Sequence, residues 1–588
     1  MRHSIATMAL SGALPEKLAA AAQAGFDAVE IFENDLLACR LTPREIRHMA
    51  ADLGLGLDIY QPLRDFEGVD PAQFQRNLQR AERKFDLMQE LGIGLLLVCS
   101  NAQPTALGDP DLIAGQLEEL ANRAAKRNLR VGFEALSWGT HTNRFAQAYA
   151  AVVRADHRSL GLVLDSYHTL ALRDDFSAIK DLPGEKIFFL QLSDAPWDTT
   201  QPPLHTRPLR SFPGLGQFDM VGFVDAVLQT GFDGALSLEI FSDEYRAAPA
   251  QLTANAGRAS LIWLEDQLAR RAGGKAGQHL SVPPAVSPSA RCSYLELTTD
   301  AASRNLLDKQ LSVLGLTSVD APLTVKLLPS MTPGVNVKEI GVSVTAPQTA
   351  QQRSEAFGYL AGGNGEHAGT TAPDGSVLRF MSQDKQGSPA IRCTRLDRII
   401  RAVPLGTLDS WATFYHLTLG LMPVSSLLKH DPYGVVRGRL LQGNDLTIEL
   451  ETSTHERTLA AQASAEQRIS RLVFAVPDLA ACLHELLAKG IETLPVPANY
   501  YDDLAARFPL EQGEVDELRR LNMLYDRQPQ GEYRHACLTP FASGLCFELI
   551  ERQGGYTGTD MASAYVLNAA LNDWKNACSS TTADSQGQ

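Results

Sequence analysis

Residues 1–270 repeat one pattern eight times: a short apolar run, then an amphipathic stretch with helical spacing. The runs are His3–Leu10, Asp27–Phe32, Leu55–Tyr60, Gly94–Ser100, Arg130–Leu136, Gly161–Asp165, Ile187–Leu192 and Ala235–Ile240. The helical stretches are Pro15–Ala24, Pro43–Leu53, Pro71–Leu91, Pro110–Arg127, Arg144–Val153, Phe176–Lys180, Met220–Thr230 and Tyr245–Ala269. Pro43, Pro71 and Pro110 each follow Thr or Asp, the order expected where a cap precedes the first helical turn. Gly25, Gly54, Gly92 and Gly231 fall where helices should stop. Eight β-then-α units in this length predict an α/β fold, a (β/α)8 TIM barrel. A doubly wound open sheet is the competitor, but it usually has fewer strands, and no GxGxxG follows the first run.

Residues 271–290 are rich in Gly, Ser, Pro and Ala without a period and are expected to be a linker. Beyond them the pattern changes. A strand at Cys292–Thr298, a helix at Ala301–Leu314 and strands at Thr324–Leu328 and Ile340–Val344 open the second half. Strand, helix and strands follow again from Cys393–Arg401 through Thr407–Leu419, Val435–Leu440 and Leu446–Leu450. Arg471–Val476, a helix ending at Lys489, His535–Leu538 and Gly544–Ile550 complete the set. Units of this length read as tandem βαβββ modules, an α+β domain over 291–556. Residues 557–588 read as a tail, helical near Ala562–Trp574 and then polar.

Four polar side chains close otherwise apolar runs on successive strands: Glu134 in VGFEAL, Asp165 in LVLDSYH, Gln191 in FFLQLSD and Glu239 in LSLEIF. Parallel strands in a barrel present such groups at their C-terminal ends. Three carboxylates in one barrel mouth repel one another unless a cation joins them. With a carboxamide oxygen they form a hard-oxygen set suited to Mg²⁺, Mn²⁺ or Co²⁺. His168, three residues after Asp165 on the loop leaving that strand, is placed for acid–base work or substrate contact. Arg210, in the loop RPLRSFPGLGQFD, and Arg64, in QPLRDFEG, are candidates to hold a substrate carboxylate.

A net charge of −15 disfavours nucleic acid as a partner and leaves room for a small anionic substrate. The cysteines, Cys39, Cys99, Cys292, Cys393, Cys482, Cys537, Cys546 and Cys578, stand singly, so no CxxC metal or redox motif is present. The N-terminal segment lacks the apolar run of a signal peptide, and no stretch approaches the ~20 apolar residues of a membrane span. A soluble, cytoplasmic enzyme without membrane contact is expected, and barrels of this kind commonly assemble as homo-oligomers.

The E…DxxH…Q…RxxPGxG…E series resembles the xylose-isomerase-like, metal-dependent barrels of sugar epimerases and isomerases. The runs IATMALSGALPEKLAAAAQAGFDAVEIFENDLL, YQPLRDFEG and DSYHTLAL resemble, more narrowly, bacterial 3-dehydroshikimate dehydratases. One subgroup of these continues into a domain similar to 4-hydroxyphenylpyruvate dioxygenase, of the vicinal-oxygen-chelate fold. The resemblance implies conversion of 3-dehydroshikimate to protocatechuate with loss of water. It implies a divalent metal on Glu134, Asp165, Gln191 and Glu239. Proton removal next to the carbonyl falls to His168 as first choice, or to a metal-ligating glutamate (Glu134 or Glu239) as second. Arg210, with Arg64, would hold the ring carboxylate. The alternative on the same barrel is a sugar or hydroxypyruvate isomerase or epimerase, and a different class is a non-catalytic scaffold.

The second half departs from the dioxygenase pattern of two histidines and one glutamate around iron. Arg398 and Arg471 stand where the histidines belong, and Glu548 is kept. Arginine stays protonated and cannot ligate a metal. No facial-triad iron and no dioxygenase activity are expected there; one or both arginines would pair with Glu548.

Overall fold

The run Leu95–Cys99 is apolar and buried at every position, as a parallel strand covered on both faces must be. It is one of eight in a closed barrel in the computed structural model. That structure describes residues 1–197, 207–271, 280–286, 291–318, 321, 323–362, 367–382, 395–464, 469–559 and 562–585. The strands are β1 (His3–Ala6), β2 (Ala28–Phe32), β3 (Gly56–Leu63), β4 (Leu95–Cys99), β5 (Arg130–Glu134), β6 (Leu160–Asp165), β7 (Ile187–Leu192) and β8 (Leu236–Leu238). They pair in sequence order, and β8 closes onto β1 in parallel with His3 beside Leu236 and Ile5 beside Leu238. All eight expected strands are present, most with ends moved by a few residues.

The cap signals act as expected. Thr42 accepts from the Glu45 N–H, Asp70 from Ala72 and Gln73, and Asp109 from Asp111 and Leu112, each with proline in the first turn. Three helical expectations are corrected. Phe176–Lys180 forms a 3-10 turn over Phe176–Asp181. Tyr245–Ala269 is two helices, Asp243–Ala247 and Ala250–Arg271, with Pro249 between them. His168 is not on a loop but in the short helix Ser166–Ala171, because the Asp165 side chain accepts the Tyr167 N–H at 2.7 Å and caps a helix directly off the strand.

Strand alternation sets the site. Ile59, Leu95, Leu97, Cys99, Val163 and Phe189 come from four strands and pack into one buried cluster inside the barrel. Continuing by two along each strand, Val163 leads to Asp165 and Phe189 to Gln191. The column that fills the core therefore ends in polar groups at the mouth.

The far end of the barrel is tied by Glu265, which accepts from His3 Nε2 at 2.9 Å and Ser281 N–H at 2.9 Å. Burial would raise its carboxyl, but hydrogen bonds led by that of His3 outweigh it and hold it at about 2. A depressed carboxyl stabilises the fold above its unfolded range, near 4.5, and loses that contribution as pH falls through about 2. Glu265→Gln is expected to cost about 1–3 kcal/mol at pH 7. Urea midpoints of parent and variant should converge as pH is lowered from 4.5 toward 2.

The chain divides into units 1–283 and 284–588. In the second unit, β9 (Arg291–Thr299), β10 (Thr324–Pro329), β11 (Val335–Val344), β12 (Gly369–Thr371) and β13 (Val377–Ser382) form one sheet, ordered β10-β9-β11-β13-β12. The larger sheet holds β14 (Arg395–Ala402), β15 (Met422–Asp431), β16 (Gly434–Gln442), β17 (Thr447–Ser453), β18 (Ile469–Ala475), β19 (Leu524–Gln528), β20 (Gly531–Cys537) and β21 (Cys546–Gly554). Its order, β15-β16-β17-β14-β18-β21-β20-β19, is two βαβββ modules back to back, joined at β14 and β18. The expected modules are thus present. Cys393 and most of the expected linker, 272–279 and 287–290, lie outside the described residues. The terminal helix runs Ala564–Ser585, beyond the expected Trp574, and Asn568 and Asn572 tie it to His430 O and Asp431 at 3.1 Å each. Among the described residues no helix is long and apolar enough to cross a membrane.

Candidate active site

Glu134 and Asp165 end β5 and β6, Gln191 lies beside Asp165 in the β6–β7 register, and Glu239 follows β8 directly. All four are buried. Ligand atoms of Glu134, Asp165 and His168 lie within 4.8 Å of one another, close enough to hold one metal ion. Arg210 enters the same space, with 1% of its surface exposed. Its Nη1 donates to Asp165 Oδ2 at 2.9 Å, Glu239 Oε2 at 2.8 Å and the Glu239 carbonyl at 3.0 Å. Its Nη2 lies 3.2 Å from His168 Nε2. The guanidinium covers the rings of Tyr167 and Phe241, at 4.3 and 5.3 Å.

The RxxPGxG stretch explains how Arg210 gets there. Asp194, just past β7, accepts the N–H groups of Gly214, Gly216 and Phe218 at 3.0 Å each, and Ser211 and Asp194 exchange backbone hydrogen bonds. A Cβ on Gly216 would stand 2.2 Å from Asp194 Oδ1, so only glycine lets the loop fold onto this carboxylate. Residues 198–206 of the loop lie outside the described residues.

Electrostatics set the chemistry. Burial first, then the Glu239 and Asp165 charges, push the Glu134 carboxyl well above its usual range. Burial raises Asp165 to about 7, with Arg210 pulling down and Glu239 pushing up. Three buried carboxyl groups (Glu134, Asp165 and Glu239) surround one buried guanidinium, which pairs with Asp165 and Glu239. Two buried oxygens of the set, Glu134 Oε1 and Gln191 Oε1, accept no hydrogen bond from the described residues. Unpaired buried oxygens and surplus negative charge are what a hard divalent cation satisfies, so the donor set fits one.

His168 is held from one side. The Ser137 N–H faces its Nδ1 at 3.1 Å, with Ser137 Oγ 3.0 Å away. Its Nε2 faces Asp165 and Glu134, at 3.7 and 3.8 Å. Trp138 packs edge-on against its ring at 4.9 Å. The Ser137 N–H and the Arg210 guanidinium can both only donate, so each ring nitrogen faces a donor; with Nε2 accepting from Arg210, Nδ1 can give its proton to Ser137 Oγ. Arg64, half-buried after β3, makes no side-chain hydrogen bond or ion pair with the described residues. Its charge is felt by the Cys99 thiol, which donates to Glu134 Oε2 at 3.3 Å.

The site has members not singled out from the sequence. Glu30 on β2, fully buried, accepts from Gln61 Nε2 and Gln191 Nε2 at 2.6 Å each, and from Ser237 Oγ. Its signal, a lone carboxylate in the apolar AVEIF, matches that of the four strand-end residues, but it lies mid-strand. Cys99, Ser137 and Trp138 had no distinguishing spacing. Asp194 was visible only as the end of FFLQLSD.

In the second unit Arg471 Nη1 meets Glu548 Oε2 at 3.2 Å, and Arg398 donates to Glu449 at 2.7 Å. Lys429 bonds Glu449 and Glu451, and His535 Nδ1 lies 2.8 Å from Glu548 Oε1. Of the two arginines, Arg471 thus pairs with Glu548 as expected, while Arg398 meets Glu449 on β17, a strand that pairs with its own β14.

Residues 18–266 match the family of xylose isomerase-like TIM barrels. The chain is 40% identical to a 3-dehydroshikimate dehydratase of Pseudomonas putida, over 97% of this chain and 98% of that protein. A protein of the same name from Pseudomonas aeruginosa is 38% identical, with the same coverage. A solved xylose isomerase-like TIM barrel/4-hydroxyphenylpyruvate dioxygenase fusion protein is similar with a TM-score of 0.85 and 38% identity, over 97% of this chain and 99% of that one.

Proposed function

The chain belongs to the 3-dehydroshikimate dehydratase family, and we propose that its barrel mouth is where 3-dehydroshikimate becomes protocatechuate and water. The observation that carries the site assignment is the pair of buried oxygens, Glu134 Oε1 and Gln191 Oε1, that accept no hydrogen bond from the described residues and lie beside two further carboxylates. Glu134, Asp165, Gln191 and Glu239 would hold a divalent cation, with His168 at its edge. Bound there, the cation supplies Lewis acidity that polarises the 3-keto oxygen and acidifies the C4 proton.

The residues divide the remaining work. Arg64 takes the ring carboxylate, because its guanidinium has no partner among the described residues, whereas Arg210 is already balanced by Asp165 and Glu239. Arg210 Nε, buried without a hydrogen bond among the described residues, is a donor for a substrate hydroxyl. His168 Nε2 accepts from Arg210 Nη2 and so orients that guanidinium. The C4 proton then falls to a glutamate. Glu134 suits that role, because its buried Oε1 accepts no hydrogen bond from the described residues. Loss of the C5 hydroxyl as water, then of a C6 proton with protonation of the 3-oxygen, gives the aromatic ring.

Ultraviolet absorbance tests the reading, because an isomerase on this barrel would release no aromatic product. Chelated protein should give none from 3-dehydroshikimate, and Mg²⁺, Mn²⁺ or Co²⁺ should restore it; full activity after exhaustive chelation would reject the metal assignment. Arg64→Ala is expected to raise KM about 10–100-fold, the loss of one charge-assisted pair, with a smaller change in kcat.

A further inference from the structure

A carboxamide is an ambiguous ligand. Its oxygen attracts a hard cation and its NH₂ end repels one, and the two ends have nearly the same shape. Gln191 therefore needs something to fix which end faces the mouth. Glu30 stands on the opposite side of that amide. Its Oε2 accepts from Gln191 Nε2 at 2.6 Å. Gln61 Nε2 donates to the same oxygen at 2.6 Å, and Ser237 Oγ to the other. Four strands, β2, β3, β7 and β8, thus converge on one fully buried carboxyl group, which burial pushes well above its usual range while these hydrogen bonds pull it back. The consequence appears at the other end of the amide: Gln191 Oε1 is turned away from Glu30 and accepts no hydrogen bond from the described residues.

We propose that Glu30 is the positioning residue of the metal site, locking the Gln191 amide so that its oxygen faces the cation. The inference rests on the site reading above and adds to it a residue outside the ligand set. Glu30 touches neither substrate nor cation; it acts through Gln191. The contact also explains why position 191 carries an amide: a carboxylate there has no N–H to give the Glu30 oxygen 2.6 Å away.

The test reads metal binding, not turnover alone. Mn²⁺ affinity is measured by calorimetry on the full chain, and the visible spectrum of the Co²⁺-loaded protein reports the ligand geometry. Glu30→Met, similar in length and without an acceptor, should weaken Mn²⁺ binding about 10–100-fold and alter the Co²⁺ spectrum. Gln191→Glu alone should also weaken binding, through loss of the N–H that holds it to Glu30. The swap Glu30→Gln with Gln191→Glu keeps the net charge and lets the new amide donate to the new carboxylate. It should restore affinity to within about tenfold of the parent and recover the parent's Co²⁺ spectrum. Unchanged affinity and spectrum in a folded Glu30→Met overturn the proposal. If Glu30→Met does not fold, failure of the swap to improve on Gln191→Glu overturns it instead. Glu134→Gln is the control: if it too binds Mn²⁺ and Co²⁺ as the parent does, the site assignment itself has failed rather than the role of Glu30.

Discussion

Glu134→Gln is expected to lower kcat at least about 10³-fold at saturating Mn²⁺, the largest single loss in the barrel. Two contributions disappear together. The amide still offers an oxygen to a cation but carries no charge, so affinity falls. It also cannot take up the C4 proton, and that loss persists at any metal concentration. His168→Gln separates the roles. A histidine that only orients Arg210 through Nε2 contributes about 10²-fold, the scale of one preorganised hydrogen bond near a developing charge. Its loss should leave the acid limb of the kcat/KM profile where the parent has it. If His168→Gln instead removes that limb while a nearby glutamate variant keeps it, the histidine is the base, and Arg210 must release Nε2 during turnover.

The barrel was legible because its signals are local. Each strand is a short apolar run, most of the long helices begin at a capped proline or end near a glycine, and nothing distant is needed to place them. Asp165, Gln191 and Glu239 stood out by the cost of burying polar groups in apolar strands. The same cost applies to Glu30, but it lies mid-strand and its partners, Gln61, Gln191 and Ser237, come from three other strands that only the fold brings together. The position of Arg210 was legible only as a loop residue. That it turns inward depends on Asp194 gathering the N–H groups of Gly214, Gly216 and Phe218, a contact between two loop segments with no period to announce it. In the second unit the missed strands, β12, β13, β15 and β19, lie largely at sheet edges or in more polar sequence, where alternation is weak. The replacement of two histidines by Arg398 and Arg471 was plain in the sequence. Their carboxylate partners on β17 were not, because cross-strand pairing had to be known first.

The two halves of the chain balance buried charge in opposite ways, and the contrast yields the other large effect. At the barrel mouth Glu134, Asp165 and Glu239 surround one buried guanidinium, a deficit that calls for a cation. In the second unit Arg398, Lys429 and Arg471 meet Glu449, Glu451 and Glu548, and His535 stands against Glu548 as well, so each of these carboxylates has a basic partner among the described residues. Glu449 is the keystone of that set, since Arg398 and Lys429 both bond it and all three side chains are buried. Glu449→Gln keeps the shape and removes the charge between two buried cations. It should destabilise the second unit by about 3–5 kcal/mol, the usual cost of breaking a buried pair from one side. The readout is the midpoint of the urea transition that exposes the buried Trp411. Replacing Arg398, Lys429 and Glu449 together by methionine should recover most of the loss, because an apolar set of similar volume carries no desolvation cost. A Glu449→Gln protein within about 1 kcal/mol of the parent would mean that these charges are solvated rather than mutually held, and that the cluster does not support the fold.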